Sequence, residues 1–126
     1  MERTAPRDPA IRITLLPRDT NPHGTIFGGV ILSYIDQAAA VAAKRKTRHK
    51  IVTVSMREVV FKKPVYVGDL ISFYAEVTRV GRTSIGTRVV VEAERENSRG
   101  DTVRVTEAEV VFVAVDDAGN PVPIDS

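Results

Sequence analysis

Asp36 stands alone in its surroundings. It lies in a helix-forming run, and its neighbours three and four positions away, Leu32, Ser33, Ala39 and Ala40, include no base to pair its charge. A carboxylate without a local partner is either solvated or employed. The solvated reading places it at the edge of a narrow stripe made by Ser33, Gln37, Ala40 and Lys44, because most helical acids face water. Eight residues earlier, Gly28-Gly29 lets another group approach the backbone closely, and Asn21-Pro22 with Gly24 supplies a turn ahead of it.

Other chemistry is thinly represented. There are 0 cysteines, which excludes disulfides, thiolate nucleophiles and cysteine-type zinc sites. His23 and His49 are far apart without helical spacing, so no metal site is expected. Gly81-Arg82-Thr83-Ser84-Ile85-Gly86 misses the nucleophile-elbow pattern by one position, and that pattern needs its serine between the glycines. Arg99-Gly100-Asp101 spells an adhesion tripeptide, yet Gly and Asp are ordinary loop residues.

The elements that must position these residues follow from periodicity. Val30 to Ala43 reads as the one convincing helix, starting at the Gly-Gly pair and closed by Lys44, Arg45 and Lys46, which suit the negative end of its dipole. Its five alanines from Ala38 to Ala43 make it thin, and apolar residues around most of its circumference predict cover on most sides. Ile11 to Leu16 is a short strand candidate, followed by strands at Ile51 to Phe61, Leu70 to Val80, Ser84 to Glu96 and Thr102 to Val115. The last changes phase, which predicts a bulge near Glu107 or burial on both faces at its far end. Thr47 to Lys50 is a basic connector, residues 1–10 a mobile lead, and residues 117–126 a terminating turn and tail. Connections too short for crossover helices make the strands antiparallel. Their apolar face must be covered, and the helix is what is available. The expectation is α+β, an antiparallel sheet wrapped around one long central helix.

At 126 residues the chain is one domain with a self-sufficient core. Its 18 basic and 16 acidic residues leave a net charge of +2, too balanced for a nucleic-acid footprint. No apolar run approaches a membrane span, and the N-terminal stretch lacks the apolar core of a signal, so a cytoplasmic protein is expected.

The stretch from Asn21 to Asp36 resembles the hotdog-fold acyl-CoA thioesterases of the bacterial YciA type, whose signature looks like N-x-x-G-x-x-F/H-G-G followed by a helical acid. Asn21, Gly24, Phe27, Gly28, Gly29 and Asp36 stand in that register. Val52 to Asp69, the VGRTS turn at Val80 to Ser84, and Thr106 to Asp116 are similar to the same family, in the same order. His23 and Thr25 depart from it, standing where the family often has Asn and Asp.

The resemblance implies acyl-CoA hydrolysis to a free acid and coenzyme A, with Asp36 as general base or nucleophile. It implies an oxyanion hole from the N–H groups of Gly28 and Gly29, and a role for Asn21 in orienting water or substrate. Arg82, Thr83 and Ser84 match the family's nucleotide-contacting turn, and Arg57, Lys62 and Lys63 are further candidates for the coenzyme A phosphates. No metal or organic cofactor is implied, since coenzyme A belongs to the substrate, and neither nucleic acid nor membrane is an expected partner. Val89-Val90-Val91 and Val110-Val111 raise an edge-strand problem that pairing with a second copy would resolve. In the resembling family two subunits share one sheet with the sites between them, so a homodimer is the minimal unit, assembled further into a tetramer or hexamer. Two rivals remain at this stage. One is a hotdog enoyl-thioester hydratase or dehydratase using His23; the other is a non-catalytic acyl-CoA binding module.

Overall fold

The computed structural model describes residues 8–126. Most of the expected N-terminal lead falls outside the described residues, and its last residue, Ala10, donates its N–H to Phe73 O at 2.8 Å. The elements are β1 (Ile11–Ile13), α1 (Gly28–Ala43), β2 (Lys50–Phe61), β3 (Leu70–Val80), β4 (Ser84–Glu94) and β5 (Thr102–Val115), with single 3-10 turns at Pro17–Asp19 and Lys44–Lys46. One sheet in the order β1-β3-β4-β5-β2 holds all five strands, each pair antiparallel.

The helix buries Ile31, Ile35, Ala38, Ala39 and Ala43, a stripe at helical spacing that lies chiefly on β3 and β4. Opposite it stand Ile71, Phe73, Val89, Val91 and Ala93, all fully buried. Ala38 and Ala39 keep this side of the helix thin where the sheet closes on it. Cover within one protomer is less complete than the sequence suggests: Leu32, Tyr34, Asp36 and Ala40 are only half-buried, at the margins of the sheet contact.

Thr102–Val115 changes phase at Val105. Val91 pairs with Thr106 but Glu92 pairs with Arg104, so Val105 is an extra residue in the ladder, and Val105 and Thr106 are both buried. The N–H groups of Lys62 and Lys63 both turn to Val105 O, at 2.8 and 3.4 Å. That bulge sits two residues before Glu107 and ends the β2 pairing. The C-terminal segment folds back onto the sheet: Val122 N–H donates to Ala114 O and Ile124 N–H to Arg82 O, each at 2.9 Å, and Ile124 is 4% exposed.

The edge-strand liability falls on a different strand from the one the valines indicated. β4 and β5 are interior, and their valine runs reflect burial on both faces. The long free edge is β2, where Val52, Val54, Val60 and Phe61 are 41 to 55% exposed. β1, the other edge, is only 3 residues long. Among the described residues no helix is long and apolar enough to cross a membrane.

Ile35, 0% exposed at the centre of the helical stripe, tests the packing. Ile35→Ala is expected to lower the unfolding free energy by about 2–5 kcal/mol, measured by urea titration at fixed protein concentration.

Candidate active site

Asn21 builds the approach to the helix. Its Oδ1 accepts the N–H groups of His23 at 2.9 Å and Thr25 at 3.2 Å, and its Nδ2 donates to Thr25 Oγ1 at 2.8 Å. Gly24, at φ +88°, closes the turn by donating to Asn21 O at 3.0 Å. The carboxamide is thus spent largely on its own loop, with one Nδ2 hydrogen left over. Two backbone bonds then fix the entry: Ile26 N–H to Val65 O at 2.8 Å and Phe27 N–H to Asp19 O at 2.9 Å.

Phe27 occupies the N-cap position without a side-chain cap, and no acid lies in the first turn. Val30 and Ile31 donate back to Phe27 O, which leaves the N–H groups of Gly28 and Gly29 at the positive end of α1 for an outside acceptor. A Cβ on Gly28 would lie 3.5 Å from Phe61 Cζ, so the ring covers that glycine, whereas a Cβ on Gly29 would meet open space. Beside them is a cavity of about 280 Å³ walled by Gly28, Ile31, Phe61, Lys62, Lys63 and Val65.

The segment carrying Val65 is itself clamped. Asp69, 3% exposed, accepts the Tyr66 N–H at 2.9 Å and pairs with Arg95, which also donates to Pro64 O at 3.2 Å and lies over the Tyr66 ring. Neither Asp69 nor Arg95 carries a sequence signal beyond a turn residue and an ordinary surface base.

Asp36 is half-buried and lies outside the solvent stripe of Ser33 and Gln37; its Oδ1 accepts a hydrogen bond from Thr53 Oγ1 at 2.8 Å. Sequence reasoning missed Thr53, since a threonine in a strand is unremarkable by propensity. Along α1 the eight residues between Gly28 and Asp36 amount to ~12 Å. One protomer therefore holds the carboxylate and the free amides apart.

The basic candidates divide. Arg57 Nε pairs with Glu109 at 3.0 Å, and Lys62 Nζ pairs with Glu107 at 2.7 Å, a carboxylate that Arg88 also holds. Lys63 is exposed and has no ion pair among the described residues. Arg82, Thr83 and Ser84 form the β3–β4 turn, where Thr83 O accepts the Ala114 N–H at 2.9 Å. Ile124 joins that turn to the far end of the helix, its N–H on Arg82 O and its O accepting Thr47 Oγ1 at 2.9 Å. The turn is thus a helix length, ~24 Å, from Gly28. His23 is exposed on the lead-in, and His49 lies at the opposite end against Ser126.

The family model of the Thioesterase superfamily matches residues 23–100. The acyl-CoA thioester hydrolase YciA of Escherichia coli is 36% identical over 116 residues, covering 90% of this chain and 88% of that protein. Cj0915 of Campylobacter jejuni, a hexameric hotdog fold thioesterase, superposes with a TM-score of 0.86 at 48% identity, covering 92% of this chain and 89% of its own. HI0827, a hexameric broad specificity acyl-coenzyme A thioesterase, gives 0.86 at 37% identity, covering 97% and 84%.

Glu107 titrates below the ordinary glutamate range, chiefly through its hydrogen bond from Lys62; Arg88 and Arg104 add to this, and burial opposes it. A carboxyl whose folded pKa is lowered stabilises the fold above its unfolded pKa and loses that contribution as pH falls through the folded value. Glu107→Gln is expected to lower Tm at neutral pH, with the gap to wild type closing below the ordinary value of 4.5. Thermal denaturation across pH checks this; a gap that persists in acid would locate the effect in packing.

Proposed function

For this chain, which belongs to the thioesterase superfamily and is an acyl-CoA thioester hydrolase of the hotdog fold, we propose a site shared between two copies. Asp36 comes from one copy, and Gly28 with Gly29 comes from the other. β2 runs back along α1, since Thr53 near its start reaches Asp36 and Phe61 at its end covers Gly28. Antiparallel pairing of two β2 edges about a two-fold axis sets each Phe61 end against the start of the other strand. Gly28 and Gly29 of the partner subunit then approach Asp36 and Thr53. The exposed apolar side chains of β2 support the same pairing.

The chemistry follows from the groups so assembled. The thioester carbonyl oxygen accepts from the two glycine N–H groups at the positive helix end, which take up the charge of the tetrahedral intermediate. Asp36 removes a proton from the attacking water, or attacks the carbonyl itself as nucleophile. Collapse expels coenzyme A as thiolate; in the general-base route the protonated Asp36 returns its proton to that sulfur, and in the nucleophilic route water then hydrolyses the mixed anhydride, releasing the acid and restoring the Asp36 carboxylate. The Thr53 hydroxyl fixes the carboxylate's orientation. Asn21 shapes the lead-in and keeps one Nδ2 hydrogen for water or substrate.

Among the basic groups, Lys63 is the free one beside Gly28 and the better phosphate contact, while Arg57 and Lys62 are held by glutamates. Arg82, Thr83 and Ser84 take the nucleotide end. Coenzyme A enters only as part of the substrate, and no metal or organic cofactor takes part. Three such dimers form a hexamer, the assembly reported for Cj0915 and HI0827.

The hydrogen bond from the exposed Thr53 to the half-buried Asp36, beside the free edge of β2, carries this reading. Coenzyme A release, followed with a thiol reagent to which the cysteine-free protein is silent, should show turnover across short, branched, aromatic and long acyl-CoAs. Asp36→Ala should lower kcat by ~100-fold or more with folding intact, and Thr53→Val by a smaller factor. Val54→Lys on the β2 edge should dissociate the dimer in sedimentation and abolish turnover with it. Acyl-CoA binding without turnover would make the chain a binding module, and full activity from a monomer would overturn the shared site.

A further inference from the structure

Asp69 is the one buried charged side chain among the described residues. A carboxylate taken out of water is costly unless paired, and its pairing with Arg95 adds little net stability, because an apolar contact of similar shape commonly does as well. Its placement is accounted for by what it holds. Leu70 pairs with Glu94, so Asp69 and Arg95 stand opposite each other one step beyond the β3–β4 ladder. There they close over the turn between β2 and β3, where Gly68 supplies the left-handed step at φ +97°.

Two peptide groups are gripped. Asp69 Oδ2 accepts the Tyr66 N–H at 2.9 Å, and the Asp69 N–H returns to Tyr66 O at 3.1 Å. Arg95 Nη2 donates to Pro64 O at 3.2 Å while its Nη1 holds the carboxylate. Val65 lies between the two. Because a peptide unit is planar, the Tyr66 N–H and the Val65 C=O are opposite ends of one rigid plate, and fixing the first aims the second. Val65 O accepts the Ile26 N–H at 2.8 Å. The charge on Asp69 polarises the same peptide and makes Val65 O a stronger acceptor. From Ile26 only Phe27 intervenes before the Gly28 N–H, whose own plate is held at its other end by Phe27 O, the acceptor for Val30 and Ile31. A short run of peptide plates therefore joins a buried ion pair to an amide of the helix start.

We infer that Asp69 and Arg95 are positioning residues for the hydrolysis: touching no substrate atom, they set the direction of the Gly28 N–H through Val65 and Ile26. The inference rests on the oxyanion role proposed above for Gly28 and Gly29. Aim matters there, because a displacement of about 1 Å originating far from the chemistry can lower a rate ~100-fold. A donor contributes only when it meets the oxygen at the place where charge develops.

Three substitutions grade the effect. Asp69→Asn keeps an oxygen for the Tyr66 N–H but loses the charge. Arg95→Lys keeps a charge but loses the fork that reaches both Asp69 and Pro64 O, and Asp69→Ala loses carboxylate and acceptor together. The expected falls in kcat are ~3-fold, ~10-fold and ~100-fold in that order, with KM within about twofold of wild type. A second readout compares two analogues of acyl-CoA, a trifluoromethyl ketone that forms a tetrahedral adduct and a thioether that has no carbonyl. Affinity for the ketone should fall in step with kcat, and affinity for the thioether by less than about twofold. Hydrogen exchange at the Ile26 and Phe27 amides should quicken in the same order. Folded Asp69→Asn and Arg95→Lys proteins with wild-type kcat, or equal losses on both analogues, would overturn the positioning role. Wild type that hydrolyses no acyl-CoA would sink the thioesterase reading instead. Exchange then decides alone whether the pair holds the helix entry, and unchanged rates overturn it.

Discussion

The structure depends on a helix N-terminus that must stay unsatisfied within the protein and yet be held still. First-turn N–H groups of any helix lack internal acceptors, and side-chain caps usually take them. Here Phe27 offers none, so rigidity comes from the residues before the helix, through Ile26 to Val65 O and Phe27 to Asp19 O. Each of those anchors is secured in turn. Asn21 ties its own loop together, and the buried Asp69 with Arg95 holds the segment on which Val65 sits. The free amides of Gly28 and Gly29 are the outcome of this layered support.

The sheet solves a second problem only halfway. Five strands cover one face of α1, but β2, with 12 residues, is paired on one side alone and leaves the flank bearing Asp36 half-exposed. Asp36 and the free amides of Gly28 and Gly29 are separated along one helix axis. Under the proposed shared site each protomer holds two half-sites, and assembly and chemistry become one event.

Charge is sorted by location. Cations on the outer sheet face are neutralised in place, Arg57 by Glu109 and Lys62 with Arg88 by Glu107. Lys63 beside the helix start and Lys44, Arg45 and Lys46 at the helix end have no ion pair among the described residues, as is also true of Arg18 and Arg79. Between Gly28 and Ala43 the helix carries Asp36 as its one charged residue.

Much of the architecture was legible without coordinates, because side-chain period and turn chemistry are local. Leu70–Val80 and Thr102–Val115 emerged with their observed limits, and the helix with its Gly-Gly start. Type and spacing also singled out Asp36 and the glycine pair. Strand order was not legible in the same way: the valine runs of β4 and β5 looked like an edge in need of a partner, although they are the doubly covered centre. Thr53 lies 17 residues from Asp36 on another element, and Asp69 meets Arg95 across 26, so neither pair leaves a periodic trace. Sequence by itself determined which segments become helix and strand and where an unpaired carboxylate lies, since those properties belong to neighbours in the chain. Only the tertiary structure decided which strand is left open, which cations are already paired and which hydroxyl meets Asp36, because those depend on contacts between residues far apart in sequence.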